Sequence, residues 1–184
     1  MPRWPLIAFA TVALGALSGV AAYQHVGLRQ PEGNRAWQEI AWPFPRDGWP
    51  AGKAFRCDVA ACGGDVEIYV RPKMGFCNCD RGVADDDEVD RVADLDLMSQ
   101  YFAPLAPGQT VRLADMSGRI RAYDLKTSDR LPHIAIGIAV SRRCDLLVAL
   151  AHGSGNAPEV QRAALVLLAS SEMTRWMTAA MDGR

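Results

Sequence analysis

The residues with the clearest capacity for chemistry carry sulfur. Four of the five cysteines, Cys57, Cys62, Cys77 and Cys79, fall between Phe55 and Asp80, and the fifth, Cys144, lies far downstream. Cys77-Asn78-Cys79 is the most unusual local spacing. Two thiols one residue apart close a tight ring on oxidation, and strain of that kind raises a reduction potential, which suits an oxidant or isomerase. The same two thiolates, with Met74 close by in sequence, are soft donors of the sort that hold Cu(I). The structural alternative is that one of the pair bonds to Cys144 or to a cysteine of the upstream hairpin. The spacing lacks the CxxC of a thiol oxidoreductase, the CxxCH of covalent haem and the C-x2-C knuckles of a zinc site. Five is an odd number. In an oxidising compartment the simplest outcome is two disulfides and one thiol, and the sequence does not choose the pairing. A Cys57–Cys62 disulfide is local, so it stabilises less than one closing a long loop.

Other tempting stretches fail on spacing. Ala84-Asp85-Asp86-Asp87-Glu88 concentrates carboxylates, but counting from Asp85 a calcium loop needs glycine sixth and glutamate twelfth, where Asp90 and Asp96 stand. Asp85 with Glu88 three residues on reads instead as a capping box on the positive end of a helix. His152-Gly153-Ser154-Gly155 has histidine where a nucleophile elbow needs glycine, and it lacks the lysine of a phosphate loop. It reads as a strand-to-helix turn. His25, His133 and His152 form no ligand spacing. No catalytic residue is assigned, and no cofactor apart from copper in the thiolate alternative.

The elements that must position the cysteines follow in chain order. The run Trp4–Ala22 is uncharged, follows Arg3, and would rise about 28 Å as a helix, close to the thickness of a bilayer core. It reads as an uncleaved anchor, with secretion after signal cleavage as the alternative. Residues 23–53 read as a tether. Arg35 to Trp42 is expected to form a short helix, and the prolines of residues 42–50 impose an extended path. Trp37, Trp42 and Trp49 fall here and are the candidates for partner binding, unless they pack on the domain's own core.

Residues 54–184 read as the exported domain. Val66, Ile68 and Val70 alternate with polar residues, the pattern of a half-buried strand. It pairs with Ala54–Asp58, and Pro72 suits an edge or strand end. An acidic helix follows, with Val89, Val92, Leu95, Met98 and Phe102 on its apolar side. Thr110–Leu113 and Arg119–Leu125 are strands. Ile134–Val140 and Asp145–Ala151 make the clearest hairpin, apolar enough to lie in the centre of the sheet. One amphipathic helix runs from an Asn156 cap to Gly183.

The expected fold is α+β: a membrane anchor helix, then one antiparallel or mixed sheet of about five or six strands packed by a C-terminal helix. With a net charge of -1 the chain has no field to attract nucleic acid. The expected function is a non-enzymatic binding or assembly role towards a membrane protein complex. The domain would face the periplasm from the inner membrane, held there by residues 4–22. The alternative is a thiol protein handling electrons or Cu(I) through Cys77 and Cys79.

Overall fold

Strand-forming alternation recurs along the chain more often than the sequence reading allows. The computed structural model describes residues 36–75, 79–126 and 133–183. Its strands are β1 (Trp37–Ile40), β2 (Lys53–Cys57), β3 (Val66–Lys73), β4 (Phe102–Pro104), β5 (Gln109–Leu113), β6 (Met116–Leu125), β7 (His133–Arg142) and β8 (Asp145–Gly153). Helices are α1 (Val59–Cys62), α2 (Asp86–Val92), α3 (Ala157–Leu168) and α4 (Ser171–Met181), with a 3-10 turn at Leu95–Leu97. The strands form one sheet in the order β1-β2-β3-β8-β7-β6, and β4 and β5 both lie along the outer side of β6. Every pairing is antiparallel.

The expectation of five or six strands packed by one terminal helix is therefore overturned. Trp37–Ile40 is not a helix but a strand, paired from Trp37↔Cys57 to Ile40↔Ala54. Its helical spacing yields to a tertiary partner, as propensity commonly does. Phe102–Pro104, read as the tail of the acidic helix, is a strand on β6. The helix stops earlier, at Val92, and Asp94 adopts a left-handed φ of 60° before the 3-10 turn. The terminal helix is two, because the Ser170 side chain accepts from Met173 N and starts a second cap. Trp4–Ala22 lies outside the described residues, and among those described no helix is long and apolar enough to cross a membrane.

The sheet is covered on both faces. On the first, β-strand residues such as Ile68, Ile136, Ile138 and Leu147 meet Val160, Leu167, Met173 and Met177 of α3 and α4. On the second, Tyr123, Leu146, Val148 and Leu150 meet Val89, Val92 and Leu95. Two covers explain why β7 and β8 are almost continuously apolar. Pro72 stands in β3 opposite Leu147 of β8, beyond Val70, the last residue that β2 pairs, so its missing donor falls on a locally free flank.

The β5–β6 connection is tighter than the sequence suggested. Met116, Ser117 and Gly118 belong to β6, and only Ala114 and Asp115 turn the chain. Ala114 carries a φ of 53°, a left-handed conformation that costs a residue with a Cβ. Ala114→Gly is therefore expected to raise the unfolding free energy by up to about 1 kcal/mol, read from urea melts with an unchanged m-value.

Candidate functional site

The cysteines are brought to two places. Cys57 and Cys62 are bonded across α1, with a Cα separation of 6.0 Å. Asp58 caps that helical turn by accepting from Ala61 N at 3.1 Å, and Gly63 closes it at a φ of 76°. Cys79 is bonded to Cys144 in the β7–β8 turn, across 65 positions of sequence and a Cα separation of 4.4 Å. The segment before it is held to the same turn, since Gly75 N donates to Asp145 Oδ1 at 2.6 Å. Val83 N further along donates to Ser141 Oγ at 3.4 Å. Cys79 is thus bonded to Cys144, the first of the pairings the sequence left open. Met74 is half-buried beside it in sequence, and Cys77 lies outside the described residues.

The tryptophans lie against the domain. Trp37 is 8% exposed and belongs to the first core. Trp42 meets Phe44 and Tyr69 edge-on at 5.8 and 6.1 Å, and the Arg71 guanidinium lies 5.9 Å from its ring centre. Gly52 makes this possible: a Cβ there would stand 2.5 Å from the Trp42 ring and from Val70 O. Trp49 is half-buried, and its backbone N donates to Arg46 O at 2.9 Å.

Three polar clusters lie on the second face of the sheet, and none was legible as a cluster in the sequence. Arg71 and Lys73, 4% and 5% exposed, both donate to the Asp94 carboxylate. Arg71 does so through two nitrogens at 2.7 and 2.8 Å, the fork geometry of a strong pair. Lys73 also donates to Val92 O at 3.0 Å. Burial holds the Lys73 amine below its ordinary value, with Asp94 opposing that shift. Next along β3, the Tyr69 hydroxyl and the Arg56 guanidinium donate to Glu67, and the His152 ring lies 3.3 Å from the same carboxylate. Burial pushes Glu67 up, but the hydrogen bonds from Tyr69 and Arg56 outweigh it and leave it lowered. Burial, and then the bond to Glu67, raise the Tyr69 hydroxyl out of the range in which it would ionise. Burial holds His152 below its ordinary value.

The acidic helix supplies the third cluster. Asp85 accepts from Glu88 N at 3.0 Å, which is the cap. Asp86 and Asp90, one helical turn apart, reach across to β6. Asp86 accepts from Arg119 and from Gly108 N, and Asp90 accepts from Arg121 at 2.7 Å and from Tyr123 at 2.6 Å. The Gly108 bond, ahead of Arg119, lowers Asp86. Asp86 and Asp90 are therefore turned towards the sheet, while Asp87 is exposed. Ser154 Oγ accepts from Asp65 N at 3.1 Å, so it braces the β3 entry. Among the described residues no group of three or more histidine, cysteine or acidic side chains is arranged to hold a metal ion.

At the end of the sheet away from β1 lies an edge. β4 and β5 run along β6 as one interrupted strand, with residues 105–108 bulged between Pro104↔Tyr123 and Gln109↔Ile120. Leu105 N donates to Ala122 O, so alternation turns Pro104 outward, where it has no N–H to offer. β5 is different. A two-residue connection makes Leu113–Met116 the closing hydrogen-bonded pair, so alternation turns the N–H and C=O of Thr110 and Arg112 away from β6. Each face of this edge carries an open groove of about 500 Å³. On the α3 side it is lined by Gln109, Pro158, Arg162, Leu165, Val166 and Ala169. On the other it is lined by Arg81, Ala84, Thr110, Arg112 and Ser117. Neither groove is announced by a motif; the signal is a strand of mixed polarity with arginines near it.

No protein-family model matches the chain, and no curated protein matches it.

Proposed function

We propose that this is an exported, disulfide-braced domain with a non-enzymatic binding or assembly role at a membrane. The observation that carries the reading is the Cys79–Cys144 disulfide. A disulfide closing so long a stretch belongs to an oxidising compartment, where it persists. It also occupies the sulfur that the electron- or copper-handling alternative needs. The uncharged run Trp4–Ala22 supports delivery across a bilayer, as anchor or as signal. The acid, base and hydroxyl groups gathered on the second face support a structural use, because each pairs with a neighbour within the domain.

The test is thiol titration with intact mass on full-length protein prepared under native, non-reducing conditions. One titratable thiol per chain, at Cys77, and a mass short by four hydrogens are expected. Three thiols, with Cys77 and Cys79 both reactive and copper bound on exposure to Cu(I), would overturn the reading in favour of the thiol alternative. Five reduced thiols in a natively cytosolic chain would overturn both.

A further inference from the structure

We propose that β5 is a docking edge for an extended protein segment in which carboxylate and aliphatic side chains alternate. This rests on the binding role above and names the chemistry of the partner. An incoming strand would pair with the outward N–H and C=O groups of Thr110 and Arg112 and extend the sheet. Its side chains would then point alternately to the two faces. On the face of Thr110 and Arg112 they enter the groove lined by Arg81 and Arg112. On the face of Gln109 and Val111 they meet Leu165, Val166 and Ala169 of α3, where Val166 is 53% exposed.

Charge commits the occupant. Arg81, Arg112 and Arg162 are all exposed, and none makes an ion pair with any described residue, although the chain as a whole carries -1. By contrast Arg119 and Arg121, on the neighbouring strand, are consumed by Asp86 and Asp90. Asp85, next to Ala84 of that groove, caps its own helix. A second copy of this chain would bring Arg112 against like charge, which edge strands use to prevent self-pairing. An acidic strand meets Arg81 and Arg112 on one face and, on the other, apolar surface flanked by Arg162. The neighbouring β4 is closed to pairing by Pro104 and the bulge, which confines the docking length to the five residues of β5.

The experiment uses the oxidised full-length chain and a fluorescein-labelled octapeptide of alternating valine and glutamate. Anisotropy titration is expected to show saturable binding that weakens as salt rises. It should weaken about tenfold in Arg81→Glu/Arg112→Glu, and to a similar degree when lysine replaces glutamate in the peptide. Amide exchange should slow at Thr110 and Arg112 on binding. Both arginines are exposed and unpaired, so melting of the variant should match that of the parent and separate lost binding from lost fold. Absence of saturable binding, equal binding of the two peptides, or binding without protection at Thr110 and Arg112 would each overturn the proposal. So would protection of those amides by concentration-dependent self-association without peptide. The thiol count on the same sample reports separately on the exported, disulfide-braced reading.

Discussion

Asp94→Asn is expected to destabilise the domain by about 3–5 kcal/mol, the largest effect of any single side-chain change in the second layer. Asp94 is the carboxylate shared by Arg71 and Lys73, both almost fully buried. Asp47 stands 3.9 Å from Arg71 but is exposed, and charge at that distance next to water is weak. Removing Asp94 takes from two buried cations the carboxylate that they share, and the cost of a buried charge that loses its counter-ion exceeds the worth of the pair itself. Urea denaturation at pH 7 checks the loss. A fall below about 1 kcal/mol would mean that water reaches the cluster.

The same cluster makes a statement about pH. An unfolded lysine keeps its proton up to about pH 10.4. Folded Lys73 gives its proton up earlier, because burial disfavours the charged form. Between those two values the unfolded chain binds more protons, so stability rises with pH there. Loss of Asp94 removes the attraction that opposes burial and widens that window downward. The Asp94→Asn deficit should accordingly shrink as the pH is raised into the alkaline range.

Cys79→Ser/Cys144→Ser is expected to cost about 4 kcal/mol, against about 2 for Cys57→Ser/Cys62→Ser, if the disulfides act by restricting the unfolded chain. The difference comes from loop length: 65 positions against 5. The longer closure also unites the stretch after β3 with the β7–β8 turn, where Gly75 and Asp145 are hydrogen-bonded. Parallel thermal melts of the two double variants decide the order. Equal losses would mean that the short disulfide does most through α1, a single turn held by the Asp58 cap and closed at Gly63.

The central hairpin was legible because β7 and β8 are apolar along their whole length, and a strand between two covers needs to be. The α3 start was legible because Asn156, Pro158 and Glu159 stand in capping order, and the structure shows both halves of that box. The polar side of β3 was misread in meaning rather than in pattern. Glu67, Tyr69, Arg71 and Lys73 alternate correctly with Val66, Ile68 and Val70, but they face a second layer instead of water. Nothing local reports that layer, since it is built by Asp94, Trp42 and Phe44 from distant stretches. β1 and β4 were lost for a similar reason: each is too short to declare a period and exists through its partner. The β5 edge needed the turn to be placed at Ala114–Asp115, because a shift of one residue exchanges the inward and outward groups.

β3 joins two sets of hairpins, one built from the first part of the chain and one from the rest. A polypeptide made from its amino end completes β1, β2 and β3 while Leu146–Gly153, the other neighbour of β3, does not yet exist. Until then the flank of β3 that β8 will pair has no strand beside it. The β3–β8 seam, which the Cys79–Cys144 bond locks at its Lys73 end, can therefore close only after the whole meander has been made.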